Sequence, residues 1–344
     1  MVKEIEKTIQ KYFSEKWSEK DITFWVGNPR FKIDTDAINK NLTIPIRDFI
    51  LRGGKRWRPV LFLTTLTLFG LDWKKHLDIA FALELAHNAT LIIDDIEDGA
   101  ELRRGKPTCH RVFGIDTAIN AGATAHFLPL RILELKKGLS KNKRERIIRI
   151  YNEEIINVYF GQTIDIYWHK NLKKISKEKY LEMCRLKTGG LVRMAVRMAC
   201  ALAEKDRKTE NEFKNFAELV GIAFQIKDDL LEFTADEKIF GKSFGNDITE
   251  GKMSLPAVLA LKKADKRDGA RLLNILSMHT RNKKIIKEAF AIIKNSGVLD
   301  DAANYANTLI DGAWHNIEKK LMKKRGKEVE NFKDLTYFLV KRNK

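Results

Sequence analysis

Apolar residues recur along most of this chain at three- and four-residue spacing, which predicts a succession of amphipathic helices. Residues 1–21 form the first, with Ile5, Ile9, Tyr12, Phe13 and Trp17 near helical spacing, and read as an appendage packed on the body. Gly27, Pro29 and Pro45 predict irregular chain over 22–46, with one short helix around 33–41. A helical piece at 46–52 ends in Gly53-Gly54, and Pro59 marks the first turn of another helix. Further helices are predicted over 79–98, 117–135, 144–165, 179–202 and 212–233. Five more follow, at 258–263, 269–278, 283–295, 298–325 and 331–340.

Two of these helices break the usual pattern. A surface helix shows a broad polar face to water and a narrower apolar stripe to the core. In IAFALELAHNATLIIDDIEDGAELRR, residues 79–104, the proportions are reversed. Glu84, His87, Asn88, Leu91, Asp94, Asp95 and Asp98 fall within an arc of roughly 120°, and nearly everything else is apolar. A helix fit for burial that carries a narrow polar stripe should line an internal cavity. Asp94 and Asp98, at i and i+4, project from one face about one turn apart. FKNFAELVGIAFQIKDDLLEF, residues 213–233, repeats the theme, with Gln225, Asp228, Asp229 and Glu232 sharing an arc of roughly 100°. Two such helices facing each other across a bundle would put carboxylates on both walls of one cavity.

Composition narrows the class. Hydrophobic residues make up 44% of the 344, ample for a core, and 6 Pro with 20 Gly favour long uninterrupted helices. The expectation is an all-α protein, with no linker marking a second domain and no internal repeat beyond the doubled acid helix. The formal net charge is +18, yet Lys and Arg scatter over 136–149, 170–187, 262–287 and 319–344 and read as solvated helix faces. No zinc-finger spacing or recognition module is present, so nucleic acid is not the expected partner. Cys109, Cys184 and Cys200 are odd in number and lack metal-site spacing, which points to a reducing, cytoplasmic setting. The charged start MVKEIEKTIQKYF is no secretory signal, and no run of about 18 apolar residues exists to span a membrane. The positive charge leaves peripheral contact with anionic membranes open.

The cations gather where chemistry is expected. GGKRWRP, 53–59, places Lys55, Arg56 and Arg58 at a helix start, a plausible anion site; a plain basic helix start is the alternative. GAELRRGKPTCHRVFG, 99–114, sets Arg103, Arg104 and Lys106 within a turn of the acids, and guanidinium forks bind phosphate bidentately. In GQTID, 161–165, Gln162 and Asp165 either satisfy each other in a core or meet a ligand. Lys187 and Thr188 precede two glycines, and the loop GKSFGNDITEGKMSLP, 241–256, adds Lys242 and Lys252. Magnesium takes one or two carboxylates at a site and completes its octahedron with water and substrate phosphate. Two acid clusters with several cations therefore describe carboxylate, magnesium and diphosphate together. No nucleophile elbow, local Cys–His signature, Walker or Rossmann glycine pattern is present. The chemistry expected is ionisation of a diphosphate, with metal and cations absorbing the leaving group's charge and an apolar cavity harbouring the carbocation.

Six strings in order, GGKRWRP (53–59), HNATLIIDDIEDGAELRRGKPT (87–108), GQTID (161–165), KTGGL (187–191), FQIKDDLLE (224–232) and GKSFGNDITEGKMSLP (241–256), resemble the motifs of the all-trans polyprenyl diphosphate synthases. Farnesyl and geranylgeranyl diphosphate synthases belong to that family. The resemblance covers about residues 40–300. It implies one isoprenoid-synthase-like domain over 1–344, an orthogonal helical bundle around a large central cavity, with 301–344 as C-terminal helices. It implies that Asp94, Asp98 and Asp228 bind magnesium and an allylic diphosphate, with Asp95, Asp229 and Glu232 behind them or on metal-bound water. Lys55, Arg58, His87 and Arg104 would hold the diphosphate of isopentenyl diphosphate. Arg103, Lys187, Lys242 and Lys252 would grip the allylic diphosphate, and Thr188, Gln225 and Gln162 would stabilise the cation. Asp165 is a weaker transfer. Three magnesium ions and a homodimer are implied as well.

The implied reaction is ionisation of dimethylallyl, geranyl or farnesyl diphosphate, attack by the isopentenyl double bond, and proton loss. Glu232 stands where the family commonly has Asp, and the longer acid should still reach a magnesium-bound water. Ala89 and Thr90, five and four residues before Asp94, are small where shorter-product members tend to carry bulky aromatics. That predicts geranylgeranyl or longer products, with Phe127 and Leu128 as candidate floors. A class I terpene cyclase is the alternative enzyme, but its second metal motif differs and it has no use for Lys55 and Arg58. A non-catalytic prenyltransferase subunit is the binding-protein alternative, although such subunits usually lose one acid cluster.

Overall fold

The computed structural model describes residues 1–171, 174–234, 245–321 and 326–341. Among them the chain is helical apart from one pair of two-residue strands, as expected of an all-α protein. Two compact units are resolved, Met1–Tyr151 with Met198–Glu204, and Asn152–Arg197 with Lys205–Lys344. No helix of the described residues is long and apolar enough to cross a membrane.

The first unit contains α1 (Val2–Tyr12), α2 (Glu19–Val26), α3 (Thr35–Ile38), α4 (Ile44–Leu51), α5 (Trp57–Leu68), α6 (Leu77–Glu97), α7 (Cys109–Phe113) and α8 (Ile115–Leu135). The single helix expected over 1–21 is two. Ser18 and Asp21 close a capping box that starts a new helix, and this local alternative outweighs the continuing apolar period. Asn39 then ties the break to the body, accepting from the Trp17 amide at 2.7 Å and donating to the Trp17 carbonyl at 2.9 Å. Helix α6 is buried because small residues at Ala80, Ala82, Ala86 and Ala89 let neighbours approach; it packs on α5 and α8. Gly122 of α8 faces it so closely that a Cβ there would lie 2.7 Å from Ile93 Cδ1.

Helices α9 (Lys141–Lys170) and α10 (Lys177–Leu202) contribute to both units. The second unit continues with α11 (Arg207–Thr234), α12 (Asn246–Thr249), α13 (Leu255–Lys263), α14 (Lys266–Ser277), α15 (Lys283–Asn295), α16 (Val298–Leu321) and α17 (Lys327–Lys341). Helix α11 packs on α16 and α17, where Phe213, Phe216, Trp314 and Phe332 form an aromatic core. Residues 161–165, expected to end their helix, lie inside α9. Their glycine serves packing: a Cβ on Gly161 would collide with the Lys187 backbone nitrogen, and one on Gly221 of α11 would lie 2.7 Å from Gly189 Cα of α10. Glycine inside a helix costs about 1 kcal/mol, and here it lets three backbones touch. Below this crossing Arg193, fully buried, bridges Glu154 at 2.8 Å and Glu218 at 3.2 Å, while Arg197 reaches Glu154 at 2.6 Å. These charges are buried rather than solvated because each has a partner; breaking such a pair leaves an uncompensated charge.

Candidate active site

The polar stripe of α6 resolves into three levels. At the first, Glu84 is buried and accepts from Arg56 Nη1 at 2.7 Å and Asn88 Nδ2 at 2.8 Å. Arg56 also donates to Glu6 at 2.7 Å and to the Ile50 carbonyl. This corrects the grouping of Arg56 with Lys55 and Arg58: its guanidinium is filled by protein acceptors, so it holds the unit together rather than binding an anion.

At the second level Arg58 Nη1 lies 3.2 Å from His87 Nε2, and its guanidinium sits over the Trp57 ring at 4.3 Å. Burial, and then the nearby Arg58 and Arg104, hold His87 well below the usual imidazole range. The ring is therefore neutral and accepts from Arg58, which assigns the proton to Nδ1; that atom has no hydrogen-bond partner. Arg104 donates to Asn88 Oδ1 at 3.3 Å, and burial lowers its pKa to about 10, leaving it charged at neutral pH. A Cβ on Gly54 would come within 3.1 Å of Arg104 Nη2, so Gly54 lies directly against the guanidinium, with Lys55 exposed next in the chain. An unfilled donor among three cations suits an oxyanion.

At the third level Asp94 and Asp98 are partly exposed and Asp95 is fully buried. Asp95 Oδ1 accepts from Arg103 Nε at 2.7 Å and from Nη2, while Asp94 Oδ2 stands 3.7 Å from the same guanidinium. Asp95 Oδ2 has no hydrogen-bond partner. The arginines are delivered by a hairpin, strand β1 (Leu102–Arg103) against β2 (Lys106–Pro107). Its turn residues Arg104 and Gly105 have φ of +54° and +74°, the signature of a type I′ turn. The turn sends two consecutive arginines to different partners, which helical periodicity does not reveal.

The second acid set belongs to α11. Asp229 is buried and held by three neutral donors: Tyr180 Oη at 2.7 Å, the Leu255 amide at 2.9 Å and Gln225 Nε2 at 2.9 Å. Burial, then Asp247, push its carboxyl up to about 7 against the pull of those donors. Asp228 is exposed and Glu232 partly exposed, one turn apart. Gln225 Oε1 accepts from Thr188 Oγ1 at 2.6 Å, so both ends of the amide are fixed. Asp165 is buried, pairs with Lys187 Nζ at 2.7 Å and lies 3.2 Å from His169 Nε2. Burial alone would raise its pKa, but Lys187 and His169 hold it well below the usual carboxylate range. Gln162 is buried one turn earlier on α9. Lys252 contacts Glu250 at 2.7 Å and Asp247 at 3.6 Å. Lys242 lies outside the described residues.

Among the described residues no three His, Cys, Asp or Glu side chains form a self-sufficient metal cage. Magnesium requires none, since water and phosphate complete its shell. The pairs Asp94/Asp98 and Asp228/Glu232 supply carboxylates at one-turn spacing, and Asp95 Oδ2 is an unfilled acceptor of the kind a metal-bound water needs. Each set, taken by itself, has the carboxylates to hold magnesium with a diphosphate.

Comparison with known proteins agrees. The sequence profile of the Polyprenyl synthetase family matches residues 39–293. The chain belongs to this family. A short chain isoprenyl diphosphate synthase of Methanocaldococcus jannaschii is 35% identical over 251 residues, 73% of this chain and 75% of that protein. A geranylfarnesyl diphosphate synthase of Aeropyrum pernix is 35% identical over 268 residues, 77% of this chain and 83% of that protein. The crystal structure of geranylgeranyl pyrophosphate synthetase from Pyrococcus horikoshii superposes with a TM-score of 0.84 at 29% identity, covering 99% of this chain and 96% of that one. The fold is thus the all-α isoprenoid synthase fold. The protein is a prenyltransferase of a magnesium-dependent family.

The residues expected to gauge product length stand one turn before Asp94. Ala89 is buried, and Thr90, partly buried, donates its hydroxyl to the His87 carbonyl at 2.7 Å. Leu128 is buried, but Phe127 is 69% exposed. Phe127 is therefore no floor of an interior tunnel within this chain; it continues an exposed apolar row on α8 with Ile115 and Ile119. Sequence reasoning also missed Tyr180 and His169. Tyr180 was detectable, since it shares a helical face with Cys184, Lys187 and Thr188 at i, i+4, i+7 and i+8.

Proposed function

We propose that this prenyltransferase condenses isopentenyl diphosphate with an allylic diphosphate to give all-trans geranylgeranyl diphosphate. One observation carries the reading. His87, paired with Arg58 of α5 and with its Nδ1–H unfilled, stands on α6 seven residues before Asp94, about 10 Å along the axis. A second anion site beside the acid face is what a two-substrate condensation needs and a cyclase does not.

In this reading Lys55, Arg58, His87 and Arg104 hold isopentenyl diphosphate. Asp94, Asp98 and Asp228, with Glu232, hold three magnesium ions and the allylic diphosphate, which Arg103, Lys187, Lys242 and Lys252 also grip. Magnesium, when bound, would supply charge neutralisation to the diphosphate leaving group. Thr188 and Gln225, locked to each other and to Asp229, offer oriented oxygen dipoles to the cation, as does Gln162. The isopentenyl double bond attacks the allylic carbon, and a proton leaves to the departed diphosphate. The family match runs from 39 to 293, through both compact units, which supports reading the chain as one catalytic domain. The exposed row Ile115, Ile119 and Phe127 supports a homodimer, measurable by sedimentation.

Labelled isopentenyl diphosphate is offered with each allylic primer, with and without magnesium. The expected result is magnesium-dependent product of geranylgeranyl length; no extractable label in any combination removes the reading. Ala89→Phe with Thr90→Phe should shorten the product, and unchanged length by chromatography would sink the gauge. The geranylfarnesyl synthase among the relatives keeps one more isoprene unit as the second outcome.

A further inference from the structure

We propose that Tyr180 is a positioning residue for the reaction, holding Asp229 so that Asp228 and Glu232 present their carboxylates to the metal–diphosphate complex. The proposal rests on the reading of Asp228 and Glu232 given above. Tyr180 is 1% exposed on α10, its ring in the core and its hydroxyl 2.7 Å from Asp229 Oδ2. The same oxygen accepts the Leu255 amide at the start of α13, and the other oxygen accepts Gln225.

Two of those donors come from elements other than α11. Rotating α11 about its axis would therefore break the bonds from Tyr180 and Leu255 together. Pinning residue 229 fixes the angular positions of 228 and 232, which flank it on the same helix. The choice of neutral donors has a further consequence. In the first acid set Arg103 anchors the middle carboxylate but brings a positive charge to within 3.7 Å of Asp94. Tyr180 orients Asp229 with a hydroxyl and so itself adds no positive charge to the second acid face. Tyr180 itself would touch neither substrate nor metal; it acts through Asp229.

The test uses the full chain and four variants: Tyr180→Phe, Asp229→Asn, their combination, and Asp228→Asn as the control. Magnesium activation curves, kcat, and KM for isopentenyl diphosphate are measured. The thermal midpoint is recorded without ligand and with magnesium plus inorganic diphosphate. Tyr180→Phe should raise the half-saturating magnesium concentration and lower kcat, each by about tenfold, the usual size of losses behind a metal ligand. KM for isopentenyl diphosphate should stay within about twofold, because that change leaves the first acid helix untouched. The midpoint rise produced by magnesium and diphosphate should shrink relative to each variant's own baseline. The combined variant should respond to magnesium no worse than Asp229→Asn alone, as expected when one residue works through the other. An unchanged magnesium curve in Tyr180→Phe, with or without a lower ligand-free midpoint, overturns the proposal and makes the hydroxyl a structural contact only. If Asp228→Asn also leaves the curve unchanged, the reading of the second acid face fails first.

Discussion

The two acid helices solve one problem in two ways. In both, the middle carboxylate is buried and immobilised, while its neighbours at i and i+4 are at least partly exposed. On α6 the anchor is a cation, Arg103, delivered by a tight hairpin eight residues further along the chain. On α11 the anchors are a phenol, a backbone amide and a carboxamide gathered from α10, α13 and α11 itself. On α6 one guanidinium supplies both donors to Asp95; on α11 three separate groups supply the three donors to Asp229. The physical reason is the cost of burying an ion, which Arg103 offsets only in part, since burial still raises the Asp95 carboxyl, and which several polar hydrogens share at Asp229. The cationic solution ties Asp95 to a residue that is also expected to grip phosphate. In the neutral solution Tyr180 and the Leu255 amide only anchor, while Gln225 both anchors Asp229 and is expected to face the cation.

Losing an outer carboxylate should have the largest effect. Asp94→Ala and Asp228→Ala are each expected to lower kcat/KM at least a hundredfold or so, with little change in thermal midpoint, because the exposed acid contributes to ligand binding more than to folding. If activity survives in both, the acid faces are not the metal sites. The middle carboxylates should separate on stability. Asp95→Asn leaves Arg103 facing a neutral amide and should cost about 2–3 kcal/mol in chemical denaturation, whereas Asp229→Asn keeps an acceptor for neutral donors and should cost about 1 kcal/mol. Equal losses would erase the distinction drawn here. A smaller effect sharpens the same contrast through pH. Asp165, like Asp95, is compensated by cations, and its folded pKa lies below its unfolded value. Its stabilisation is therefore present above about pH 4, the unfolded carboxylate range, and is lost as pH falls toward the folded value. Asp165→Asn should be less stable than the parent at neutral pH, and denaturation midpoints of the two should converge below about pH 4. A gap that stays constant with pH would mean that the carboxylate's charge contributes nothing.

How much was legible depended on how local each signal was. The reversed proportions of α6 and α11 identify both acid faces without any neighbour, since a 3.6-residue period depends on one segment alone. Arg58, His87 and Arg104 stood out by charge and spacing. Arg56 did not declare its different role, because it sits two residues from Arg58 and only packing shows that Glu84 and Glu6 take its hydrogen bonds. The purpose of Gly161, Gly189 and Gly221 is visible only where the backbones of α9, α10 and α11 meet. Phe127 looked like interior by hydrophobicity, and exposure places it on the outer row of α8.

By itself the sequence determined the all-helical class, the two carboxylate faces, the basic clusters and the family, because each is written in the spacing of residues along single segments. Only the tertiary structure decided which acids are anchors and which are presented, that Lys187 meets Asp165, and that Tyr180 belongs to the second acid set. Those assignments pair residues 22 and 49 positions apart in the chain. Such pairings follow from how helices cross, and a crossing is a property of two surfaces that no single periodicity encodes.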